Sequence, residues 1–280
     1  MNINEVRIVA DSSADLSGLS GIDFRMAPLK IITAEKEYID DAALDVRAMV
    51  DDLDGYKGKS STSCPNEYDW LQAYGDAKYI FCVTITGMLS GSYNAARMAK
   101  ESYEEQHADR KVFVMDSQTA GPEIALIIEK IRDLVLSGAD FDEVCERVTK
   151  YSKRTGLLFM LESMKNLANN GRVSTLVSKT AGLLGIRVVG KAGDSGDLEP
   201  LDKCRGGLKT LNTIVQRLKE QGLKNGRVRI THCFNKEAAL ALKEQILEKF
   251  ATVRVEISEC CGLCSFYAEK GGLLIGFEKM

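Results

Sequence analysis

A group of small hydroxyl and glycine residues, TGMLSGSYNAA at positions 86–96, follows the apolar stretch YIFCVTI. The apolar stretch predicts a strand and the alanine-rich end predicts a helix, so Gly87 and Gly91 lie in a tight loop between them. The unpaired N–H groups of a helix start, together with the hydroxyls of Ser90 and Ser92, could hold an anion without a charged side chain. Capping of the helix by its own serines explains the same residues, and both interpretations stay open.

A second hydroxyl cluster, SSTSCP at positions 60–65, contains Thr62 and is predicted to be a loop. Hydroxyl groups both donate and accept hydrogen bonds, so hydroxyls from two loops could clamp a carboxylate. Neither cluster contains the GxxxxGK[ST], GxGxxG or GxSxG spacing that nucleotide sites and serine hydrolases use.

Carboxylates at the ends of predicted strands offer an alternative chemistry. Asp11 ends VRIVAD and Asp116 ends KVFVMD. Together with Ser90 they could form a small phosphate-ester hydrolase or phosphotransferase. A serine nucleophile needs a neighbouring base, however, and the only histidines of the chain, His107 and His232, have no orienting acid near them in sequence. We therefore expect no catalytic residue and keep the hydrolase as the alternative function.

Eight cysteines are scattered along the chain, and Cys261 and Cys264 form a CxxC pattern. This pattern is found in redox and metal sites. A structural zinc site needs four ligands, and the chain has no second CxxC pattern, so we expect no metal. Reduced cysteines that pack in a core are the simpler interpretation.

The composition is that of an ordinary globular protein, with 280 residues, 45% hydrophobic and 28% charged. A net charge of −3 gives no basic footprint for nucleic acid. The N-terminus lacks the pattern of a signal peptide, and no apolar run reaches the roughly 20 residues of a membrane span. We therefore expect a cytoplasmic protein.

Strand and helix patterns alternate to about residue 153, which predicts an α/β domain with a parallel sheet. Ligands of such sheets bind beyond the carboxyl ends of the strands, where DSSAD, TGMLSGS and DSQTA are found. The second half favours an α+β arrangement, with a hairpin in IRVVGKAGDSGDLEPLDKC. We predict an α/β fold of two domains: a parallel-sheet N-terminal domain (1–155) that carries the hydroxyl loops, and a smaller α+β C-terminal domain (156–280).

Three basic residues stand in or beside predicted loops of the second half: Arg172, Lys203 and Arg205. They could dock an acidic partner or a phosphate group. Solvated surface charge explains them equally well.

Six motifs occur in order over most of the chain: VADSSADL, STSCP, LSGSYNAARMA, VMDSQTAG, MKNLANNGRVS and GDLEPLDKCRG. Together they resemble the DegV family of bacterial fatty-acid-binding proteins. The resemblance implies a carrier without catalytic activity, acting in lipid transport or fatty acid metabolism. Its ligand would be a long-chain fatty acid such as palmitate, and no other cofactor is implied.

The resemblance also assigns roles to residues. Thr62 and Ser90 would hold the fatty-acid carboxylate, while the acyl chain would occupy an apolar tunnel to which the 156–280 domain contributes, with GLLFMLESM and GGLLIGF as candidate walls. Some family members present the acid to a separate kinase, and Lys203 and Arg205 would dock that kinase or make transient contact with an anionic membrane.

The sequence departs from the family pattern at three positions. Tyr267 stands where the family often has a histidine, Cys64 where it usually has a glutamine, and Ser92 where it usually has a threonine. A phenol can hydrogen-bond a carboxylate, but it carries no positive charge near neutral pH. Tyr267 is therefore an additional candidate for contact with the head group.

Overall fold

The computed structural model describes residues 1–174 and 185–280. Its strands, in chain order, are β1 (Val6–Asp11), β2 (Asp23–Ala27), β3 (Lys30–Ile32), β4 (Glu37–Ile39), β5 (Ser61–Ser63), β6 (Tyr79–Thr84), β7 (Lys111–Asp116), β8 (Thr155–Leu161), β9 (Ile186–Ala192), β10 (Leu198–Arg205), β11 (Gly226–His232), β12 (Val253–Glu259) and β13 (Leu273–Glu278).

The α-helices of the described residues are α1 (Val46–Gly55), α2 (Glu67–Tyr74), α3 (Ser92–Gln106), α4 (Pro122–Leu136), α5 (Phe141–Ser152), α6 (Lys165–Asn169), α7 (Gly207–Glu220), α8 (Lys236–Lys249) and α9 (Gly262–Ala268). None of these helices combines the length and the apolar character that crossing a membrane requires.

The first sheet has the strand order β2-β1-β6-β7, and all of its neighbouring strands are parallel. Successive side chains of a strand point to opposite faces, and this alternation divides the core in two. Ile8 and Phe81 pack with α4 and α5 on one face, while Val9 and Cys82 pack with α2 and α3 on the other. The predicted parallel α/β arrangement is confirmed.

The second sheet has six strands in the order β10-β9-β8-β13-β11-β12. Its neighbours are antiparallel except for β11 and β12, which are parallel. Strands β9 and β10 form the predicted hairpin, in which Leu198 pairs with Ala192. The α+β character predicted for the second half is confirmed.

Helix α4 lies between these two sheets. It contacts β1 and β6 of the first sheet and β8, β11 and β13 of the second. Eleven of its fifteen residues are buried, as expected for a helix that is covered on both sides. Because α4 contacts both sheets, the division into 1–155 and 156–280 stays a prediction.

A third sheet, with the order β4-β3-β5, corrects one expectation. Residues 61–63 were predicted as loop, but they form β5 and pair antiparallel with β3, with Thr62 opposite Ile31. The local sequence Ser-Thr-Ser gives no strand pattern, because this pairing depends on a partner about thirty residues earlier in the chain. The segment APLKIITAEKEYID, at positions 27–40, has a sequence pattern that predicts a hairpin of two short strands. This prediction is confirmed, because β3 and β4 pair antiparallel.

Candidate functional site

A cavity of about 370 Å³ opens beside the second sheet, within the size range of small-molecule sites. Leu157, Phe159 and Leu161 line it from alternate positions of β8, and Leu198 and Leu274 line it from β10 and β13. The intervening residues of β8 turn to the opposite core, as the alternation of a strand requires. Parts of both segments predicted as tunnel walls therefore lie on this apolar surface.

The polar end of the cavity gathers hydroxyl groups from three separate elements. Thr62 comes from β5, Ser90 from the loop before α3, and Tyr267 from α9. The Oγ1 atom of Thr62 and the hydroxyl of Tyr267 form a hydrogen bond of 2.7 Å, although 205 residues separate them in the chain. Burial raises the pKa of Tyr267, so its phenol is neutral near pH 7.

Asp11, which is fully buried, holds the loop that carries Ser90 by hydrogen bonds. Asp11 accepts hydrogen bonds from the backbone N–H of Ile85 at 3.0 Å and from the hydroxyl of Ser92 at 2.5 Å. Burial raises the pKa of Asp11, while these donors oppose the shift. The end of β1 therefore fixes the loop at the end of β6, as predicted from their positions in a parallel sheet.

The position of Ser90 is compatible with both interpretations of its loop, helix capping and anion binding. Its Oγ atom accepts a hydrogen bond of 3.2 Å from the backbone N–H of Ser92 at the start of α3, so it does serve the helix. A hydroxyl that accepts in this way keeps its own hydrogen to donate. Ser90 can therefore donate to an anion in the cavity while it holds the loop.

Arg172 alone carries a charge among the described residues that line the cavity. It is half-buried, and its Nε atom donates to the carbonyl of Leu89 at 3.1 Å. Its predicted role as a docking residue stays a prediction, and its position beside the Ser90 loop places a positive charge in the cavity lining.

Lys203 and Arg205 lie elsewhere. Both are exposed on β10, an edge strand, with the buried Cys204 between them. Lys203 pairs with Val188 of β9, which in turn pairs with Leu161 of the cavity lining. Neither Lys203 nor Arg205 is itself part of the described cavity lining.

Helix α9 was not predicted, although it carries Tyr267. Its seven residues include a glycine and two aromatic residues, which are weak helix formers, and Cys261 at its N-cap provides no side-chain hydrogen bond. Instead, the buried side chains of Asp15 and Asp40 accept hydrogen bonds from its first N–H groups. Only distant residues stabilise this helix, so no local signal marks it.

The CxxC pattern spans the start of α9. Cys264 donates its S–H to the carbonyl of Ser13, and burial raises the pKa of both Cys261 and Cys264. Thiols with raised pKa values are poor nucleophiles and poor metal ligands. All eight cysteines are free, and the described residues contain no metal-binding cluster. The geometry gives no support to redox or metal chemistry.

The carboxylates of the hydrolase alternative are occupied by backbone groups. Asp116 accepts from the N–H of Gly87 at 3.2 Å and from the N–H of Gln118 at 2.9 Å. Asp11 accepts from the N–H of Ile85 and from the hydroxyl of Ser92. Both carboxylates therefore fix loops, and within the described residues neither one hydrogen-bonds to Ser90.

Comparisons with known proteins agree with this architecture. The family profile described as "Uncharacterised protein, DegV family" matches residues 5–279. A DegV domain-containing protein of Streptococcus pneumoniae is 42% identical over 276 residues, which cover 97% of this chain and 98% of the relative.

Two solved structures are similar over nearly the whole chain. A DegV family protein from Eubacterium eligens, loaded with heptadecanoic acid, has 40% identity and a TM-score of 0.97, covering 98% of this chain and 100% of that one. The Fatty Acid Kinase (Fak) B3 protein of Streptococcus pneumoniae, loaded with linoleic acid, has 42% identity and a TM-score of 0.96, covering 98% and 99%. The resemblance and the fold predicted from the motifs are confirmed, and the chain belongs to the DegV family.

Proposed function

We propose that this protein binds a long-chain fatty acid, such as palmitate, in the cavity. The observation that carries the proposal is an apolar cavity whose lining includes the hydroxyl groups of Thr62, Ser90 and Tyr267, with Thr62 and Tyr267 hydrogen-bonded to each other. The carboxylate would lie among these hydroxyls and near Arg172, with the acyl chain along β8. The fatty acids bound by the two solved relatives support this assignment.

The energetics suit such a ligand. Roughly fourteen buried methylene groups, at about 0.8 kcal/mol each, contribute on the order of 11 kcal/mol before ordering costs are subtracted. The acyl chain therefore supplies most of the affinity. The hydroxyl groups orient the carboxylate, and Arg172 offsets its charge.

The protein acts as a carrier in lipid transport or fatty acid metabolism, and it presents the bound acid to a separate cytoplasmic kinase. The relation to a protein named as part of a fatty acid kinase supports this role. The exposed pair Lys203 and Arg205 provides the docking surface, either for that kinase or for an anionic membrane during transient contact. Arg172 takes part in docking through the rim of the cavity.

Lipid extraction tests the binding proposal. Mass spectrometry of an organic extract of the purified protein should find about one fatty acid per chain, and Thr62→Ala combined with Ser90→Ala should retain much less. The control pair is Thr149→Ala and Ser195→Ala, two exposed hydroxyl residues outside the cavity. A lipid-free extract together with no uptake of added palmitate would refute the proposal.

A second experiment tests the docking surface. Lys203→Glu combined with Arg205→Glu should reduce acyl phosphate formation by purified Streptococcus pneumoniae fatty acid kinase at least several-fold, while the affinity for fatty acid stays unchanged. Binding to phosphatidylglycerol vesicles is measured in parallel. A loss of vesicle binding indicates a surface that docks on the membrane, and a loss of acyl phosphate formation alone indicates one that docks on the kinase. Full activity and full vesicle binding in the charge-reversed protein would exclude this surface.

A further inference from the structure

Two buried carboxylates from the first forty residues hold the start of α9. Asp40 accepts from the N–H of Gly262 at 2.7 Å and, with its other oxygen, from the N–H of Leu263 at 2.9 Å. Asp15 accepts from the N–H of Cys261 at 2.8 Å. These N–H groups would otherwise have no partner in a helix that lacks a side-chain cap of its own.

Asp40 belongs to the small sheet that also presents Thr62. It directly follows β4, and its backbone N–H donates to the carbonyl of Leu29, just before β3, at 2.9 Å. Strand β3 pairs with β5, which carries Thr62. One three-stranded sheet therefore holds Thr62 through its backbone and holds α9 through the Asp40 side chain.

The geometry of a short helix links Asp40 to Tyr267. Tyr267 follows Leu263 by four residues, so both lie on the same side of α9, about 6 Å apart along its axis. Phe266 packs against the Tyr267 ring, with ring centroids 4.8 Å apart, and is itself buried. Because a hydrogen bond weakens steeply beyond about 3.2 Å, a small shift of α9 would separate the two hydroxyls.

The contact between Asp40 and α9 leaves no room for a side chain at Gly262. A Cβ atom there would lie 2.6 Å from Oδ1 of Asp40 and 2.6 Å from a methyl group of Leu44. Gly262 is therefore required for the contact between Asp40 and α9, because only glycine allows the carboxylate to approach the helix so closely.

We propose that Asp40 is a positioning residue for the head group: it fixes α9 so that the hydroxyl of Tyr267 stays within hydrogen-bond distance of Thr62. This role rests on the proposed fatty-acid function. It assigns to Asp40 an effect on ligand affinity that acts mainly through Tyr267, although Asp40 itself lies outside the cavity lining.

A double-mutant cycle tests the inference. Palmitate dissociation constants would be measured for the wild type, Asp40→Asn, Tyr267→Phe and the double variant. Each single change should weaken binding about tenfold, the value of one hydrogen bond to a charged group. The double variant should bind only slightly more weakly than Tyr267→Phe, because the hydroxyl that Asp40 positions is then absent and only the apolar lining residues of α9 remain to be held. Equal losses in both backgrounds would show a general structural role and overturn the inference.

Two further variants make the cycle specific. Gly262→Ala disturbs the same contact from the helix side, so it should also weaken binding and lose its effect in the Tyr267→Phe background. Asp11→Asn is the matched control, since Asp11 accepts hydrogen bonds from Ile85 and Ser92, on either side of the Ser90 loop, and none directly from α9. Its effect should add to that of Tyr267→Phe. An additive Gly262→Ala, together with an additive Asp40→Asn, would contradict a role through Tyr267.

A ligand-free measurement separates this inference from the proposed function. In delipidated protein, the ¹³Cζ-tyrosine NMR signal that disappears in Tyr267→Phe should shift in Asp40→Asn but not in Asp41→Asn, its exposed neighbour. An unmoved signal would overturn the inference even if the wild type binds palmitate. A wild type that binds no fatty acid would instead refute the proposed function, whatever the NMR result.

Discussion

The hydroxyls of Thr62 and Tyr267 lie 2.7 Å apart, and one of them donates to the other. The accepting partner keeps its hydrogen, so the pair offers a single donor to a carboxylate. Ser90, in the loop before α3, offers a second donor to the cavity. The proposed head-group site is therefore a neutral clamp, and the only charge within the described cavity lining comes from Arg172.

Replacing Tyr267 by histidine should make ligand affinity depend on pH. An imidazole with a pKa near 6.5 gains a positive charge as the pH falls, and the charge attracts the carboxylate. We expect the affinity of Tyr267→His for palmitate to rise several-fold from pH 8 to pH 6, relative to Tyr267→Phe at the same pH values. Fluorescence titration measures both. Parallel pH profiles for the two variants would show that the side chain at 267 does not reach the carboxylate.

Gly190→Ala should reduce the space for the acyl chain. Gly190 pairs with Phe159 across β8 and β9, and a Cβ atom at Gly190 would lie only 2.2 Å from the Phe159 ring. The ring must move, and Phe159 lines the cavity. We expect a loss of roughly 1–3 kcal/mol in the free energy of unfolding, and a larger loss of affinity for palmitate than for laurate. Denaturant unfolding and competition binding measure these two quantities.

Gly18→Ala is the control for this change, because no atom lies within 4 Å of its new Cβ. Gly18→Ala should change neither the free energy of unfolding nor the affinities for palmitate and laurate. Equal losses of affinity for palmitate and laurate in Gly190→Ala would mean that Phe159 does not limit chain length.

A bound fatty acid should protect Cys64 from alkylation and leave Cys145 unaffected. Both thiols are half-buried, and burial raises the pKa of each, that of Cys145 to about 12. Both should therefore react slowly with iodoacetamide, and faster as the pH rises. Of these two cysteines, Cys64 lines the cavity and Cys145 does not. Peptide mass spectrometry with and without palmitate measures the two rates, and equal protection of both cysteines would count against binding in this cavity.

Asp15 should make the protein less stable as the pH rises toward neutrality. Burial raises its pKa from 3.8 to about 7. Between these values the folded protein binds more protons than the unfolded chain, so the stability that Asp15 contributes is present at low pH and is lost as the pH rises through 7. The side chain introduced by Asp15→Asn does not ionise, and asparagine tolerates the left-handed backbone found at this position, where φ is 52°.

We therefore expect the stability of Asp15→Asn, relative to the wild type, to increase by on the order of 2 kcal/mol between pH 5 and pH 8. Urea unfolding at several pH values measures this difference, and other titrating groups cancel from it. Asp41→Asn, on the surface, should show no such change. A difference that does not vary with pH would mean that Asp15 ionises normally in the folded protein.

The sequence was sufficient to predict the features that follow from local patterns. The strand ends DSSAD, TGMLSGS and DSQTA were expected to converge, and they do: Asp11 accepts from Ile85, and the N–H of Thr86 donates to the carbonyl of Thr119 at 2.9 Å. A parallel sheet places successive strand ends at one edge, so their order along the chain already implies this neighbourhood. Both hairpins were also predicted, because their turns and alternation are local signals.

The features that escaped prediction depend on distant partners. Strand β5 exists through its pairing with β3, and α9 exists through carboxylates more than 200 residues away. Asp40 looked like one of several acids after a hairpin, since nothing near it in sequence shows that it would be buried at a helix start. Residues 175–184 lie outside the described structure. The motifs MKNLANNGRVS and GDLEPLDKCRG lie before and after them in the chain.

The separation of 205 residues between Thr62 and Tyr267 has a consequence during synthesis. At about 5–20 residues per second, a ribosome needs roughly 10–40 s after making Thr62 before it adds Tyr267. The parallel sheet can form once Asp116, the end of β7, has been made, but Thr62 still lacks the hydroxyl of Tyr267 as its partner. A nascent chain therefore has no complete hydroxyl pair for a fatty-acid carboxylate until Tyr267 and the rest of α9 have been made.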